Sequence, residues 1–387
     1  MFYDKIKIGD QIMNIDRKRE KKKNKKKISK KKKISLFLIT LIMVILCIAI
    51  YYLLMPKEKE HKKLATKKDE VVEKLKIVDE NSNQRPIAVM IDNNVGNSSH
   101  AGLQDSYINY EIIVEGGLTR IMAVFKDKNV SLIGPVRSSR HYFLDYALES
   151  DCIYTHYGWS TYAENDIKAL SVNNINGLYD EQPFWRDNTI AAPHNVFTTT
   201  ERIYSYASTK QYLTTTNEWQ LLNYSTSEVD LSTPIGTKTV TNEETGKKEK
   251  VNVQNEDLII ANTITIPYSN YQTRGYTYDS TRKVYLRTMN NQPHVDKTTH
   301  EQLYYKNIII EKVSNSQLDS YGRQDLKTTG SGKGYYITNG YALPIIWTKS
   351  TRKSKTKYTY NNGEEIKIND GNTFIQIMPS RYSPTIN

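Results

Sequence analysis

Cysteine is almost missing from these 387 residues: there are two, Cys47 and Cys152. Cys47 falls inside a long apolar run, which leaves Cys152 alone in the rest of the chain. No intramolecular disulfide can staple that part, so its stability must come from burial. Motifs for cofactor chemistry are missing too. There is no P-loop and no His-Glu-x-x-His pair, so no cofactor or resident metal is expected. No nucleophile elbow singles out a serine. A third shortage is hidden by the totals. The formal net charge is +12, which suggests nucleic acid until it is located. Residues 1–33 hold 15 Lys and Arg against Asp4, Asp10, Asp16 and Glu20, which accounts for +11 and leaves +1 for everything after. The basicity is the address of one segment, and no nucleic-acid partner is expected.

That segment runs into Ile34 to Met55, an uncharged apolar stretch of 22 residues, long enough to cross a hydrocarbon core. Lys30 to Lys33 abut its start, so the positive-inside rule puts the N-terminus in the cytoplasm and everything after Pro56 outside. A cleaved signal peptide would have a shorter apolar core and a small-residue cleavage site, where this chain has Tyr51-Tyr52-Leu53-Leu54-Met55. A lipoprotein signal would need a small residue before its cysteine, and Leu46 precedes Cys47. The expectation is a single-pass transmembrane helix at 34–55, left uncleaved in the cell membrane. Residues 1–33 are expected to be a disordered basic cytoplasmic tail that lies on the anionic inner leaflet. Residues 56–82 read as a Lys/Glu-rich stalk with some helix through Glu70 to Ile77.

Residues 83–222 read as an α/β domain with a mixed sheet. Ile87 to Ile91 is a continuous apolar strand ending at Asp92-Asn93. Ile108 to Val114 and Thr119 to Phe125 flank Gly116-Gly117, which predicts a hairpin. Val130 to Ile133 and Cys152 to Tyr157 read as further strands. Tyr142 to Leu148 and Thr161 to Leu170 carry the 3.6 period of packed helices. That alternation implies parallel strands with right-handed crossovers. Residues 171–200 read as loop. After a connecting segment at 223–256, residues 257–387 read as an antiparallel all-β domain without a convincing helix. Thr263 to Ile266, Val284 to Arg287 and Ile308 to Ile310 are strands, and Asn339-Gly340 and Asn362-Gly363 are two-residue hairpin turns. Pro344 marks its strand as an edge or a bulge.

The stretch that orders the chain is Glu115-Gly116-Gly117-Leu118-Thr119-Arg120 followed by Gly134-Pro135-Val136-Arg137-Ser138-Ser139-Arg140. Three arginines and two sharp turns fall together there, outside any charge run. Together with Arg85-Pro86-Ile87-Ala88-Val89-Met90-Ile91-Asp92-Asn93 and Pro193-His194-Asn195, it resembles the YerB-like family of bacterial envelope proteins. Tyr285-x-Arg287, His294-x-Asp296, Gly332-x-Gly334 and Gly371-Asn372-Thr373 are similar to that family's C-terminal domain. The resemblance covers roughly residues 84–380. It implies a two-domain extracytoplasmic protein of a Gram-positive bacterium, of a family usually carried on a lipid anchor and without an assigned function. This chain departs at the anchor, where an apolar helix stands in place of a lipobox.

In open α/β sheets ligands collect beyond the carboxyl ends of the parallel strands. Asp92 and Asn93, Arg137, and His156 followed by Tyr157-Gly158-Trp159-Ser160 occupy such ends. They are expected to converge with Glu115, Arg120, Arg140, Arg186 and His194 on one anion-binding cleft. Guanidinium forks suit phosphate or carboxylate, and backbone N–H groups of the helix after Gly134-Pro135 would add to the site. The expected ligand is an anionic envelope molecule such as a polyprenyl-pyrophosphate-linked or peptidoglycan precursor. Ion pairs with Glu111, Glu115, Asp145 and Asp187 would give the same composition, and then the protein is a non-enzymatic scaffold or regulator of envelope enzymes. Asp92, Glu115 and His156 suit acid–base work if they face the cleft. Ser138, Ser139 or Ser160 could be a nucleophile beside a histidine, but no context selects one. Ser-x-x-Lys spacings at Ser280, Ser350 and Ser354 fit chance in lysine-rich segments, and Cys152 fits a buried small hydrophobe. His294, Asp296 and His300 have the chemistry of metal ligands, and a polar loop explains them as well.

Overall fold

The computed structural model describes residues 4–54, 74–219, 222–233, 236–241, 247–253 and 255–387. Most of the expected stalk and part of the connecting segment lie outside them. The chain divides into two compact units, residues 1–71 and 72–387. In the first, helix α1 runs from Asp4 to Leu54. The lysine-rich residues expected to be disordered continue this helix, since lysine is a good helix former. Phe37, Ile39, Met43 and Tyr51 on it are more than half exposed. Among the described residues no helix is long and apolar enough to cross a membrane.

The second unit begins before the stalk was expected to end. Leu75, Ile77 and Val78 are buried in its core without forming a helix. Its strands in the first half are β1 (Ile87–Asp92), β2 (Ile108–Ile113), β3 (Thr119–Phe125), β4 (Ile153–His156) and β5 (Asn174–Asn176). Helices α2 (Phe143–Leu148), α3 (Thr161–Ala169) and α4 (Thr200–Thr209) complete that half. β1, β4 and β5 are parallel, and β3 runs antiparallel to β1 and β2. The Gly116-Gly117 hairpin forms as its sequence predicts, with φ of 65° and 69° at the two glycines. The strand expected at 130–133 does not form. Ile133 makes one isolated bridge to Thr198, and Pro135 just beyond has no N–H with which to extend a ladder. The expected loop at 171–200 instead holds β5 and a short pairing of Trp185–Arg186 with Val196–Phe197.

The second half contributes β6 (Thr263–Pro267), β7 (Thr273–Asp279), β8 (Val284–Met289), β9 (Asn307–Val313), β10 (Gly330–Thr338), β11 (Tyr341–Lys349), β12 (Lys357–Tyr360) and β13 (Thr373–Pro379). β6, β7 and β8 centre a six-stranded antiparallel sheet. β9 to β13 do something the composition does not announce: they extend the sheet of the first half. The order is β11-β10-β9-β13-β2-β3-β1-β4-β5, within eleven strands. β13 is parallel to both neighbours, Ile108 facing Thr373 on one side and Asn307 facing Thr373 on the other. Among the described residues the second half is thus mainly antiparallel, the parallel pairings being those of β13 and of Ile368–Asn369 with Tyr224–Ser225. Asn339 and Gly340, both at positive φ, turn β10 into β11 as expected. Pro344 lies within β11, but the side away from β10 is covered in two pieces. Ile259–Ile260 pairs at Tyr341 and Ala342, and β12 pairs from Ile345 onward. Pro344 falls in the gap, where no donor is needed.

Alternation along β2 assigns two faces. Tyr110 donates to Glu149 at the end of α2 (2.8 Å) and packs on Tyr146. Asn109 and Glu111 face the six-stranded sheet, meeting Tyr305 and Arg274. α2 thus packs on one face of the large sheet and the smaller sheet on the other.

Candidate functional site

One end of the large sheet gathers most of the expected site. Antiparallel pairing sets Asp92, the last residue of β1, opposite Arg120 at the start of β3. The segment after Gly134-Pro135 then runs beside both β1 and the end of β4. Arg137 N–H donates to Met90 O (2.8 Å), Tyr157 N–H to Arg137 O (3.1 Å) and Ser139 N–H to Gly158 O (2.9 Å). These bonds correct the expectation of an anion site at a helix N-terminus. α2 begins only at Phe143 and has six residues, and the N–H groups of Arg137 and Ser139 are already used.

The three arginines differ. Arg140 grips Glu115 with two bonds, Nε to Oε1 at 2.5 Å and Nη2 to Oε2 at 2.8 Å, tying this segment to the hairpin turn. Burial opposes ionisation of Glu115, but the hydrogen bond and charge of Arg140 outweigh it and lower the carboxyl's pKa. Arg137 is a quarter exposed and lies 3.2 Å from the buried carboxylate of Asp92. Arg120 is buried and donates to Ser138 O at 2.5 Å. No carboxylate reaches it within ion-pair distance among the described residues. Burial first, then the neighbouring charges of Arg140 and Arg137, push its pKa down to about 10.

His194 joins this group from a distant loop. Its Nδ1 lies 2.7 Å from Asp92 Oδ2, and its side chain is partly exposed. Nε2 has no partner among the described residues. A buried carboxylate thus orients an imidazole whose other nitrogen is open, the geometry of a general base or an anion ligand.

Three expected members lie elsewhere. His156 is buried, with Nδ1 on Gly158 O (2.8 Å) and Nε2 near Asn174 Oδ1 (3.3 Å), and burial lowers its pKa to about 4. Its side chain is closed off from solvent. Arg186 is exposed, bonded to Asn195 Oδ1 (2.7 Å) and lying over the Tyr157 ring. Asn93 follows Asp92 and so points to the other face of the sheet, where it donates to Glu111 Oε1 (2.8 Å) and Thr119 Oγ1 (2.7 Å).

That other face holds the network that reading the sequence missed. Glu111 is fully buried between Arg274 (Nε to Oε1, 2.5 Å) and Arg287 (Nη2 to Oε2, 2.6 Å), themselves fully buried. Burial would raise the Glu111 pKa, but the two guanidiniums hold it at about 2. Arg287 Nε donates to His294 Nδ1 (3.0 Å), so His294 Nε2 carries a proton for His100 Nδ1 (2.8 Å). His100 Nε2 in turn donates to Asp92 O (2.6 Å). Every donor finds an acceptor with both imidazoles neutral, and burial lowers both pKa values, that of His100 to about 4. With its nitrogens used and Asp296 accepting from Gly102, Thr298 and Thr299 N–H groups, His294 is not part of a ligand set. No cluster able to hold a metal occurs among the described residues. Cys152 is buried, as expected, and burial pushes its thiol pKa up.

Fold and site together define a two-part protein in which a mixed α/β sheet and an antiparallel sheet close over a buried ionic chain, with arginines and a carboxylate-held histidine at one sheet end. The chain belongs to the DUF3048 family. Residues 74–213 match "Protein of unknown function (DUF3048) N-terminal domain" and residues 264–375 match its C-terminal domain. It is similar to "Putative lipoprotein YerB" of Bacillus subtilis (strain 168), 26% identical over 311 residues, or 78% of this chain and 84% of that protein. The crystal structure of YerB from Bacillus subtilis matches with a TM-score of 0.66 at 26% identity, covering 79% of this chain and 94% of that one. The YerB-like resemblance carried by the motifs is thus borne out. Those motifs supply Asp92, Glu115, Arg120, Arg137, Arg140, His194, Arg287 and His294 to the two polar groups just described, while Glu111, Arg274 and His100 lie outside them.

Proposed function

We propose that this protein is held in the cell membrane by Ile34 to Met55 and binds an anionic cell-envelope ligand on its extracellular side. The ligand class is a polyprenyl-pyrophosphate-linked or peptidoglycan precursor, met by Arg120, Arg137, Arg140 and His194. One observation carries the reading: Arg120 keeps its charge beside two other arginines with no carboxylate of its own. A bound anion would relieve that crowding. The exposed apolar side chains of α1 and the lipoprotein name of the Bacillus relative support membrane attachment. Calorimetric titration with inorganic pyrophosphate tests the site. Arg137→Gln should weaken binding about tenfold, the loss of one charge-assisted contact, and lower Tm only modestly, because Asp92 keeps His194 at 2.7 Å. Absence of saturable binding by the unmutated chain would end the reading. For the anchor, protease added to intact protoplasts should digest residues 84–387 and spare the basic N-terminus. Release of the ectodomain by signal peptidase would refute it.

The second reading is a non-enzymatic scaffold or regulator of envelope enzymes. It is favoured by the closure of Arg140 on Glu115 and of Arg137 on Asp92. Exposed Tyr162, Leu178, Tyr179, Tyr271 and Tyr321 add apolar surface, and Tyr271 abuts Gly117 of the hairpin turn. Such surface beside ion pairs suits a protein partner.

A further inference from the structure

A second polar concavity lies away from the arginine group. It has a volume of about 590 Å³ and brings together Lys74, Lys76, Arg282, Lys283 and Lys306 from three separate parts of the chain. Two carboxylates share it, and neither neutralises the group. Glu228 pairs with Lys283 (2.6 Å). Asp370 is occupied by backbone, its two oxygens accepting from the N–H groups of Lys76 (2.7 Å) and Ile77 (3.0 Å). Lys74, Lys76, Arg282 and Lys306 therefore have no carboxylate within ion-pair distance among the described residues.

Two of the cations, Arg282 and Lys306, are also held in place. Arg282 lies over the Tyr304 ring, 4.2 Å from its centroid. Lys306 Nζ donates to Asn339 Oδ1 (2.6 Å) and Lys283 O (3.2 Å). Partial burial, and Lys283 beside it, lower its pKa even though Glu228 opposes them. Ser225, Thr226 and Ser227 line the same wall and bring hydroxyl donors. Five cations against the two carboxylates leave the hollow positively charged, and an anion with several oxygens would turn the remaining repulsion into attraction. Lysines as point charges, with one arginine fork, match phosphate better than a single carboxylate.

We propose that this hollow is a binding site for a phosphate group, independent of the arginine group at the sheet end. The phosphate has two chemical sources: a free or polymer-borne phosphate, and the headgroup of an anionic lipid. The lipid source is favoured by the place of Lys74 and Lys76, which follow the apolar run in sequence.

The test uses the full chain in non-ionic detergent, with unfolding and binding followed by tryptophan fluorescence. The probes are inorganic phosphate, dihexanoylphosphatidylglycerol and, as a zwitterionic control, dihexanoylphosphatidylcholine. Saturable phosphate binding that weakens as salt rises is expected. Lys74→Gln with Lys76→Gln removes two ammoniums that have no partners to lose, so the fold should be unaffected. This pair should weaken binding about tenfold or more, and Arg282→Gln should do the same. Arg137→Gln, which weakens the arginine group, should leave the part of this binding that depends on the lysine pair unchanged. Tighter binding of the glycerol lipid than of inorganic phosphate assigns the site to a headgroup; equal binding assigns it to phosphate alone. The proposal is overturned if the lysine pair and Arg282→Gln bind all three probes as the unmutated chain does, or if Arg137→Gln alone removes binding.

Discussion

Glu111 shows how much one side chain can decide. Its carboxylate is the anion that lets two arginines be buried completely, and it stands on a strand from the other half of the unit. Removing one partner of a buried ion pair strands the rest in a dry interior and costs about 3–5 kcal/mol. Glu111→Gln should therefore lower the urea midpoint sharply, by more than Arg140→Ala, whose partly exposed partner Glu115 can take up water. The histidines add a pH dependence. His100 and His156 titrate near 4 when folded, and His294 well below its ordinary 6.5. Below pH 6.5 the unfolded chain takes up protons that the folded chain refuses. Their stabilisation is complete above pH 6.5 and is lost as the pH falls toward 4. Glu311 acts in reverse, since burial pushes its pKa up to about 7. Its contribution is complete below 4.5 and is lost as the pH rises through 7. Three imidazoles against one carboxyl leave about two protons taken up on unfolding near pH 5.5, or about 3 kcal/mol of stability per pH unit. Urea melts at pH 5.5 and 7.5 check this, and a flat profile would contradict it. The gathering of Asp92, Arg120 and Arg137 was legible because strand ends are legible. The Glu111 network was not, because Arg274 and Arg287 lie 163 and 176 residues away, and a buried ion pair has the same composition as two surface charges.

Among the elements, the Gly116-Gly117 hairpin was the plainest in the sequence, since two apolar arms around two glycines leave few other conformations. The structure separates the two glycines. A Cβ on Gly116 would meet nothing within 4 Å, while one on Gly117 would come 2.9 Å from Ser269 Cβ and 3.0 Å from Tyr271 Oη. Both have positive φ, which costs an alanine about 1–2 kcal/mol. Gly116→Ala should show that loss alone, and Gly117→Ala a larger one, because β6 and its loop must also shift. Equal unfolding free energies for the two variants would count against the packing. The expected strand at 130–133 failed because an apolar run satisfies strand periodicity without supplying a partner. What it found was a single bridge beside a proline.

At the scale of the molecule, fold class was legible and strand order was not. Period-two patterns identify strands, but nothing in Thr373 to Pro379 says that it will lie between β9 and β2. That placement makes the first half dependent on the second. A chain stopped before residue 263 would leave β2 with an open edge of six buried residues, the kind of edge that recruits other chains. Such a fragment is expected to aggregate, and co-expressed residues 263–387 should restore its solubility. A monomeric, cooperatively melting fragment would show that the first half closes its own edge.

The same strand sets an order of events during synthesis. Glu111 and its neighbour Gln376 are 265 residues apart in sequence, so the ribosome finishes β2 long before β13 exists. At about 5–20 residues per second that interval lasts some tens of seconds. Throughout it the nascent chain carries an apolar edge and a carboxylate without its arginines. The protein is thus built to remain unfinished while it is being made, and whatever keeps it from misassociating in that interval must act from outside.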